Sequence, residues 1–163
     1  MLTIRPLVRA DYPFVSRIYD EGLQTKIATF ETEVPDWDEW NKKYIPNGRL
    51  VAEIDNEILA FAVLSLVSER EVYKGVGEVS VYVKNTSRGQ GIGKQLLKRL
   101  VALSEDLGFW TLQAAIFPNN KPSLEMHRSC GFKVVGRRER IGIRDGKWQD
   151  NILMEKRSNK IGN

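Results

Sequence analysis

The clearest candidates for chemistry lie in the run Arg88-Gly89-Gln90-Gly91-Ile92-Gly93, between a segment of alternating apolar residues and an amphipathic segment. Glycine allows positive φ angles and leaves neighbouring amide groups uncovered. Because helix N-terminal amides point outwards and the helix dipole favours negative charge there, such a loop can hold phosphate oxygens. Lys94 and Lys98 add positive charge within about one turn. The run therefore predicts an anion site; the alternative is a tight turn whose glycines only allow close packing of helix on strand.

The run matches neither of the two common nucleotide-binding motifs. A Walker A loop requires glycine at position 88 and serine or threonine at position 95, where this chain has Arg88 and Gln95. A dinucleotide-binding fingerprint requires glycine at position 94, where this chain has Lys94. These two motifs therefore leave the phosphate-bearing ligand unassigned.

Two further side chains could move protons. Glu78 opens the alternating segment that leads into the loop, where it could take a proton from an amine directly or through water. Its alternative role is that of an exposed carboxylate at a strand end. His127 is the one histidine of the chain, and its alternative role is that of a surface residue or a satisfied core residue. With one histidine and one cysteine, Cys130, we expect no metal site, no intramolecular disulfide and a reducing, cytoplasmic location.

These residues must be positioned by a single domain, predicted at residues 1–155 and followed by a polar tail at 156–163 that we expect to fray. No apolar run approaches the roughly 18–20 residues that a membrane helix needs, so we expect no membrane partner. The net charge of +4 is dispersed along the chain. It fits a small anionic ligand, with weak nucleic-acid contact as the alternative.

The apolar periodicity predicts a mixed α/β fold with the order β-α-α-β-β-β-α-β-α-β-β. Asp11 and Asp36 are the predicted N-caps of the first two helices. The predicted strands span 2–5, 50–54, 58–66, 78–83, 111–117, 132–135 and 148–155, and the two later helices span 92–107 and 123–130.

The pattern Arg-x-x-Gly-x-Gly between a strand and a long helix resembles the acetyl-CoA pyrophosphate motif of the GNAT superfamily of N-acetyltransferases. Further segments resemble its phosphinothricin / methionine sulfoximine (methionine sulfone) acetyltransferase branch, and the resemblance runs from Thr3 to Glu155. It implies a central sheet flanked by helices and splayed between 78–83 and 111–117. The segments that carry it are Ile4-Arg5-Pro6, Ala28 to Thr32, Glu78 to Val83, Asn120 to Ser123, Met126 to Phe132 and Gly146 to Asp150.

The resemblance implies acetyl-CoA as co-substrate. Loop amides would bind its pyrophosphate, the strand backbone would pair with its pantetheine arm, and an asparagine would contact it at the start of the next helix. The cofactor-binding residues so predicted are Val81, Tyr82, Val83, Arg88, Gly89, Gln90, Gly91, Ile92, Gly93, Lys94 and Asn120.

The resemblance also implies roles on the acceptor side. Glu78 matches the proposed general base, and His127 falls where the superfamily places a residue that protonates the departing thiolate; it could instead bind the acceptor. Arg70 and Tyr73 match a substrate loop, in which the Arg70 guanidinium would bind a carboxylate of the substrate. The alternative is that Arg70 belongs to a run of solvated charged residues. By residue type, Phe30 is counted with the substrate residues as a wall of the pocket, and its alternative role is that of a core residue.

The acceptor implied is a small amino acid analogue such as phosphinothricin, methionine sulfoximine or methionine sulfone. A polyamine, an aminoglycoside or a protein N-terminus is the alternative acceptor, and a CoA-binding or nucleic-acid-binding module is the non-enzymatic alternative. The resemblance further implies a homodimer. One departure from the branch is Gly75, where relatives often carry tryptophan; we expect it to remove an aromatic wall of the acceptor pocket.

Overall fold

A computed structural model describes all residues from Met1 to Asn163. The seven strands are β1 (Thr3–Pro6), β2 (Arg49–Ile54), β3 (Glu57–Leu66), β4 (Val76–Val83), β5 (Thr111–Ile116), β6 (Lys133–Arg144) and β7 (Lys147–Arg157). The four α-helices are α1 (Tyr12–Thr25), α2 (Trp37–Lys43), α3 (Ile92–Asp106) and α4 (Lys121–Ser129). The strands form one sheet in the order β1-β2-β3-β4-β5-β7-β6, with helices on both faces. The predicted order of elements and the mixed α/β class are confirmed.

The sheet is antiparallel except where β4 meets β5. These two parallel strands pair only at Val76–Glu78 with Thr111–Gln113. Beyond Glu78 and Gln113 the strands make no further pairs with each other, so their facing edges open like a V. This is the splay that the resemblance predicts.

Side chains of β4 alternate between two cores on opposite faces of the sheet. Val79 belongs to the core under α3, which also buries Leu96 and Leu100. Tyr82 packs on the other core, under α1 and α2, where its ring stacks on Phe61 with the ring centroids 5.2 Å apart. Because strand side chains alternate with a period of two residues, Glu78 faces the same side as Tyr82.

The two predicted N-caps have different outcomes. The Asp36 carboxylate accepts a hydrogen bond from the Glu39 amide at 2.9 Å and caps α2. Asp11 precedes α1 without capping it, because its carboxylate instead binds the Arg5 guanidinium at 2.8 and 2.9 Å. This ion pair lowers the pKa of Asp11.

The C-terminal region is more ordered than the sequence predicted. β6 runs to Arg144, well past the predicted end at 135, and β7 runs to Arg157, so the predicted boundary at 155 falls inside a strand. The expected fraying from residue 156 is wrong, because the Ser158 amide donates to the Trp110 carbonyl at 2.8 Å and the Arg157 guanidinium binds the Ile161 carbonyl at 3.1 Å. None of the helices is both long and apolar enough to cross a bilayer.

Candidate active site

A cleft of about 750 Å³ lies where β4 and β5 diverge. Its walls are Val79–Val83 of β4, Ala114–Ile116 of β5, the glycine loop with the first turn of α3, and one side of α4. Ile27 and Ala28, which follow α1, close the remaining side. A separation between parallel strands exposes backbone groups on both inner edges, so an extended ligand can pair there as a short extra strand.

The three glycines of the loop serve different purposes. Gly89 and Gly91 have φ angles of 78° and 77°, a left-handed region that disfavours other residues, and no atom lies within 4 Å of where a Cβ would be. At Gly93 a Cβ would lie only 2.9 Å from the Met126 sulfur and 3.1 Å from Val83 Cγ2. The loop therefore combines an open, turned backbone at Gly89 and Gly91 with close packing of α3 at Gly93.

The amides of the loop form a cradle of free donors. The backbone N–H groups of residues 89–94 donate to no group in the chain, and the first helical bond of α3 runs from the Gln95 amide to the Gly91 carbonyl at 3.2 Å. Consecutive free amides at a helix N-terminus are suited to bind phosphate oxygens. Gln90 contributes its backbone only, because it does not line the cleft and its side-chain amide lies 3.5 Å from the Thr86 carbonyl.

Every other predicted cofactor residue lines the cleft, Asn120 included. The Asn120 side chain is already engaged at both ends: its oxygen accepts from the Ser123 amide at 3.4 Å and its nitrogen donates to the Ile27 carbonyl at 3.3 Å. It therefore caps α4 and ties the chain after α1 to that helix. This tethering role was not predicted from the sequence.

Glu78 occupies the last paired position of β4 before the strands part. Its Oε1 accepts a hydrogen bond from Gln113 Nε2, directly across on β5, at 3.1 Å. The residue is half-buried and does not line the cleft itself. Glu78 therefore stands at the closed end of the V, on the face of the sheet covered by α1 and α2.

His127 lines the cleft from α4 and is 4% exposed. Its Nδ1 lies 2.7 Å from the Ser123 carbonyl, which can only accept, so Nδ1 carries the proton and Nε2 is the acceptor of a neutral ring. Burial lowers the pKa of His127, and the bond to Ser123 opposes this shift without cancelling it. A neutral ring can receive a proton but has no extra proton to give at rest.

The three predicted substrate residues do not line the cleft. Phe30 packs edge-on against Phe117 with the ring centroids 4.7 Å apart. The Arg70 guanidinium lies over the Tyr73 ring at 5.4 Å, in an exposed segment between β3 and β4. The structure thus separates Arg70 and Tyr73 from the cleft of their own chain.

Gly75, expected to leave an aromatic wall missing, lies against the aromatic ring of another residue. A Cβ at this position would lie 2.1–2.4 Å from atoms of the Trp110 indole, so Trp110 already fills the space. The Trp110 amide also donates to the Gly75 carbonyl at 2.8 Å. Trp110, which directly precedes β5, therefore covers this glycine, and neither residue lines the cleft.

Sequence reasoning missed a group of tyrosines beside Glu78. The Tyr19 and Tyr82 rings meet edge-on with centroids 5.0 Å apart. Burial raises the pKa of Tyr44 to about 12, with Glu31 and Glu78 contributing to the shift, so all three phenols of this face stay protonated near neutral pH. Apolar spacing marked these tyrosines as core residues, and no local signal placed them beside a carboxylate.

Comparison with known proteins gives a consistent result. The profile of the Acetyltransferase (GNAT) family matches residues 12–132, more than half of the chain. A phosphinothricin N-acetyltransferase from Alcaligenes faecalis is 33% identical over 160 residues, covering 94% of this chain and 81% of the relative. An L-methionine sulfoximine/L-methionine sulfone acetyltransferase from Pseudomonas aeruginosa is 28% identical, covering 94% and 92%. The crystal structure of a GNAT superfamily phosphinothricin acetyltransferase from Sinorhizobium meliloti, in complex with AcCoA, has a TM-score of 0.86 and 29% identity, covering 99% and 95%.

The chain therefore belongs to the GNAT acetyltransferase family, a class of N-acetyltransferases that use acetyl-CoA as co-substrate. The resemblance seen in the sequence and the acetyl-CoA requirement are confirmed. The cleft fits that co-substrate, since free amides at 89–94 are the donors that a pyrophosphate accepts.

Proposed function

We propose that this chain transfers the acetyl group of acetyl-CoA to the amino group of a small amino-acid-like acceptor, of the phosphinothricin, methionine sulfoximine or methionine sulfone type. The observation that carries the proposal is the combination of free amides at 89–94 with Glu78 at the closed end of the V, the last paired position before β4 and β5 diverge to form the cleft. The names of the relatives support the acceptor class.

Glu78 acts as the general base in this proposal. An α-amine has a reference pKa of about 8, so it is mostly protonated at neutral pH and must lose a proton before its nitrogen can attack the thioester carbonyl. Glu78 takes that proton directly or through water. A backbone amide near Val81 stabilises the negative charge that develops on the carbonyl oxygen.

His127 transfers the second proton of the reaction, from the attacking nitrogen to the leaving sulfur. When the nitrogen–carbon bond forms and the carbon–sulfur bond breaks, the nitrogen carries one proton too many and the leaving sulfur lacks one. His127 Nε2, unprotonated at rest, takes the proton from the nitrogen and returns it to the sulfur. The ring ends neutral, and the products are the acetylated amine and free CoA.

A cationic acceptor is the second candidate. Glu78 is a carboxylate next to the cleft, whereas Arg70, the predicted ligand of an acceptor carboxylate, lies over Tyr73 and does not line the cleft. Negative charge near the closed end favours a polyamine or an aminoglycoside. A protein N-terminus is the remaining alternative.

The functional unit in this proposal is a homodimer formed through β6. This strand is one of the two edge strands of the sheet, and it ends in exposed apolar side chains next to the exposed Trp148 of β7. Exposed strand edges with apolar side chains pair readily with a second chain. The exposed fractions are 48% for Ile141, 54% for Ile143 and 60% for Trp148.

The experiment that tests the proposed function is free-thiol release from acetyl-CoA across a panel of amines. The panel contains phosphinothricin, methionine sulfoximine, methionine sulfone, spermidine, an aminoglycoside and an N-terminal peptide. Release with the first three alone supports the proposal. Release only with spermidine, the aminoglycoside or the peptide overturns the acceptor class and keeps the transferase.

A further inference from the structure

The segment 26–32, here called the tethered loop, forms part of the cleft wall outside any helix or strand. Ile27 and Ala28 line the cleft, yet no residue of the tethered loop is buried. Residues 27–35 make no backbone-to-backbone hydrogen bond with any other part of the chain. Side-chain contacts must therefore hold this wall in place.

Side chains from two distant elements hold the carbonyls of this region. Arg144, at the end of β6, donates from Nη1 to the Thr29 carbonyl at 3.1 Å and from Nη2 to the Leu23 carbonyl at 2.9 Å. Asn120 donates to the Ile27 carbonyl between them, at 3.3 Å. Leu23 is in the last turn of α1, where a cation is also favoured by the helix dipole.

β6 makes a second contact with the tethered loop. A Cβ at Gly142 would come within 2.8 Å of the Phe30 ring, so the ring lies directly on the strand backbone. The register of β6 shifts between Arg138 and Gly142, and such a bulge bends the strand locally. Two residues of β6 therefore contact this region: Gly142 packs against the Phe30 ring, and Arg144 donates hydrogen bonds to the Thr29 and Leu23 carbonyls.

We propose that Arg144 is a positioning residue for acetyl transfer, which fixes the tethered loop as a wall of the cleft. Arg144 is 7% exposed, and no ligand needs to touch it. Its planar guanidinium spans two carbonyls at once, which the single ammonium of a lysine does less well. The inference rests on the proposed function, because the effect of Arg144 on the cleft is measured as the rate of acetyl transfer.

Kinetics of Arg144→Gln and Arg144→Lys provide the first test. We expect kcat/KM for the acceptor to fall about tenfold or more in R144Q and by less in R144K, because a displaced wall misaligns the reactants. The affinity for CoA should change by less than about threefold, since the amides at 89–94 are anchored by α3 and not by the tethered loop. A kcat/KM that stays at the wild-type value in R144Q overturns the positioning role.

The matched control is Arg49→Lys. Arg49 is also a buried arginine that binds carbonyls at a helix end, here the Tyr44 carbonyl at 2.6 Å and the Asn41 carbonyl at 2.9 Å after α2, and it does not touch the tethered loop. It reports the effect of losing a buried guanidinium in general. If R49K lowers kcat/KM as much as R144Q at temperatures where both are folded, the role of Arg144 is merely structural.

Limited trypsin digestion supplies a readout that needs no acceptor. Cleavage after Lys26, an exposed residue at the start of the tethered loop, should accelerate about tenfold or more in R144Q and stay unchanged in R49K, because local opening controls proteolysis of such segments. An unchanged cleavage rate in R144Q overturns the tether. If the wild type acetylates no amine of the panel, the proposed function fails and the positioning role with it, while accelerated cleavage still establishes Arg144 as the tether.

Discussion

Glu78 and His127 lie in different environments, and the environment of each determines with what it can exchange protons. Glu78 keeps one partner, the Gln113 amide at 3.1 Å, and stays half-exposed at the closed end of the cleft. His127 is nearly sealed and holds its one proton against the Ser123 carbonyl. A solvated carboxylate can pass its proton to water, whereas a buried neutral imidazole exchanges protons only with what enters the cleft.

The replacement Glu78→Gln should reduce kcat/KM by about 100-fold or more, because removal of a general base typically costs that much. Acetyl-CoA binding should be retained, since the amides at 89–94 are untouched. Thiol release and calorimetric titration with CoA measure the two effects. Glu155→Gln is the matched control, since Glu155 lies directly across from Gln113 on β7 and loses the same charge one strand further away. Full turnover by E78Q across the pH range would remove Glu78 from the mechanism.

The lowered pKa of His127 predicts that the stability of the fold depends on pH. Its pKa is lowered in the folded state, so below its unfolded value of about 6.5 the unfolded chain binds more protons and stability falls as the pH decreases. The contribution is absent at pH 7.5, where both states are neutral, and reaches at most about 1.4 kcal/mol at pH 5.5. Chemical denaturation at the two pH values should show that His127→Gln loses less stability than the wild type. An equal loss in both proteins would contradict the lowered pKa.

At the scale of the element, the turn from β4 into α3 determines how the co-substrate is held. Gly91 is the N-cap of α3 with a φ of 77°, and this left-handed turn directs the following amides into the cleft. Gly93 then lets the helix approach Met126 and Val83 closely. The donors come from the backbone, so their placement depends on the path of the chain and hardly at all on which side chains surround it.

Gly91→Ala should therefore weaken CoA binding. A non-glycine residue in the left-handed region costs about 1–3 kcal/mol, which corresponds to a loss of affinity of about 5- to 150-fold if the loop relaxes away from its binding conformation. Calorimetric titration with CoA measures it. Gly136→Ala adds the same methyl group to a glycine of β6 that has open space and no left-handed φ, and it should bind CoA normally. Equal affinity of G91A and wild type would show that the turn does not orient the donors.

At the scale of the whole molecule, the hairpin of β6 and β7 forms one free edge of the sheet and also contacts the loop that walls the cleft. Ile143 pairs with Trp148 across this hairpin, and both are exposed. Arg144, the next residue along β6, reaches the tethered loop. A partner bound at the edge would therefore press on the strand that holds one wall of the cleft.

Trp148→Arg should shift the protein from dimer to monomer, because a large exposed aromatic at an interface often carries much of the binding energy, typically 2 kcal/mol or more, or about 30-fold in the dissociation constant. Light scattering across a dilution series measures the change. Phe14→Arg is the control, since Phe14 is also half-exposed but lies on α1, away from the edge strand. A W148R protein with the mass of the wild type at every concentration would exclude this face as the interface.

Much of the fold and of the co-substrate site could be predicted because their signals are local. Alternating apolar residues predicted β4, and Gly89 and Gly91 predicted a backbone that turns and exposes amides, since both patterns report the conformation of a few adjacent residues. The resemblance then supplied the splay of the sheet. The same reasoning missed the length of β6, whose alternation is interrupted by a bulge.

The sequence by itself therefore determined the order of elements, the anion-binding turn and the family, because each is written in residues that lie close together along the chain. Only the tertiary structure decided that Trp110 fills the space over Gly75, that His127 is neutral, and that Arg144 holds carbonyls 115 and 121 residues away. Such contacts join side chains of distant elements, and neither composition nor spacing carries information about which elements meet. For this reason the sequence placed β4 and the glycine loop at the cleft correctly, whereas the three predicted substrate residues, Phe30, Arg70 and Tyr73, do not line it.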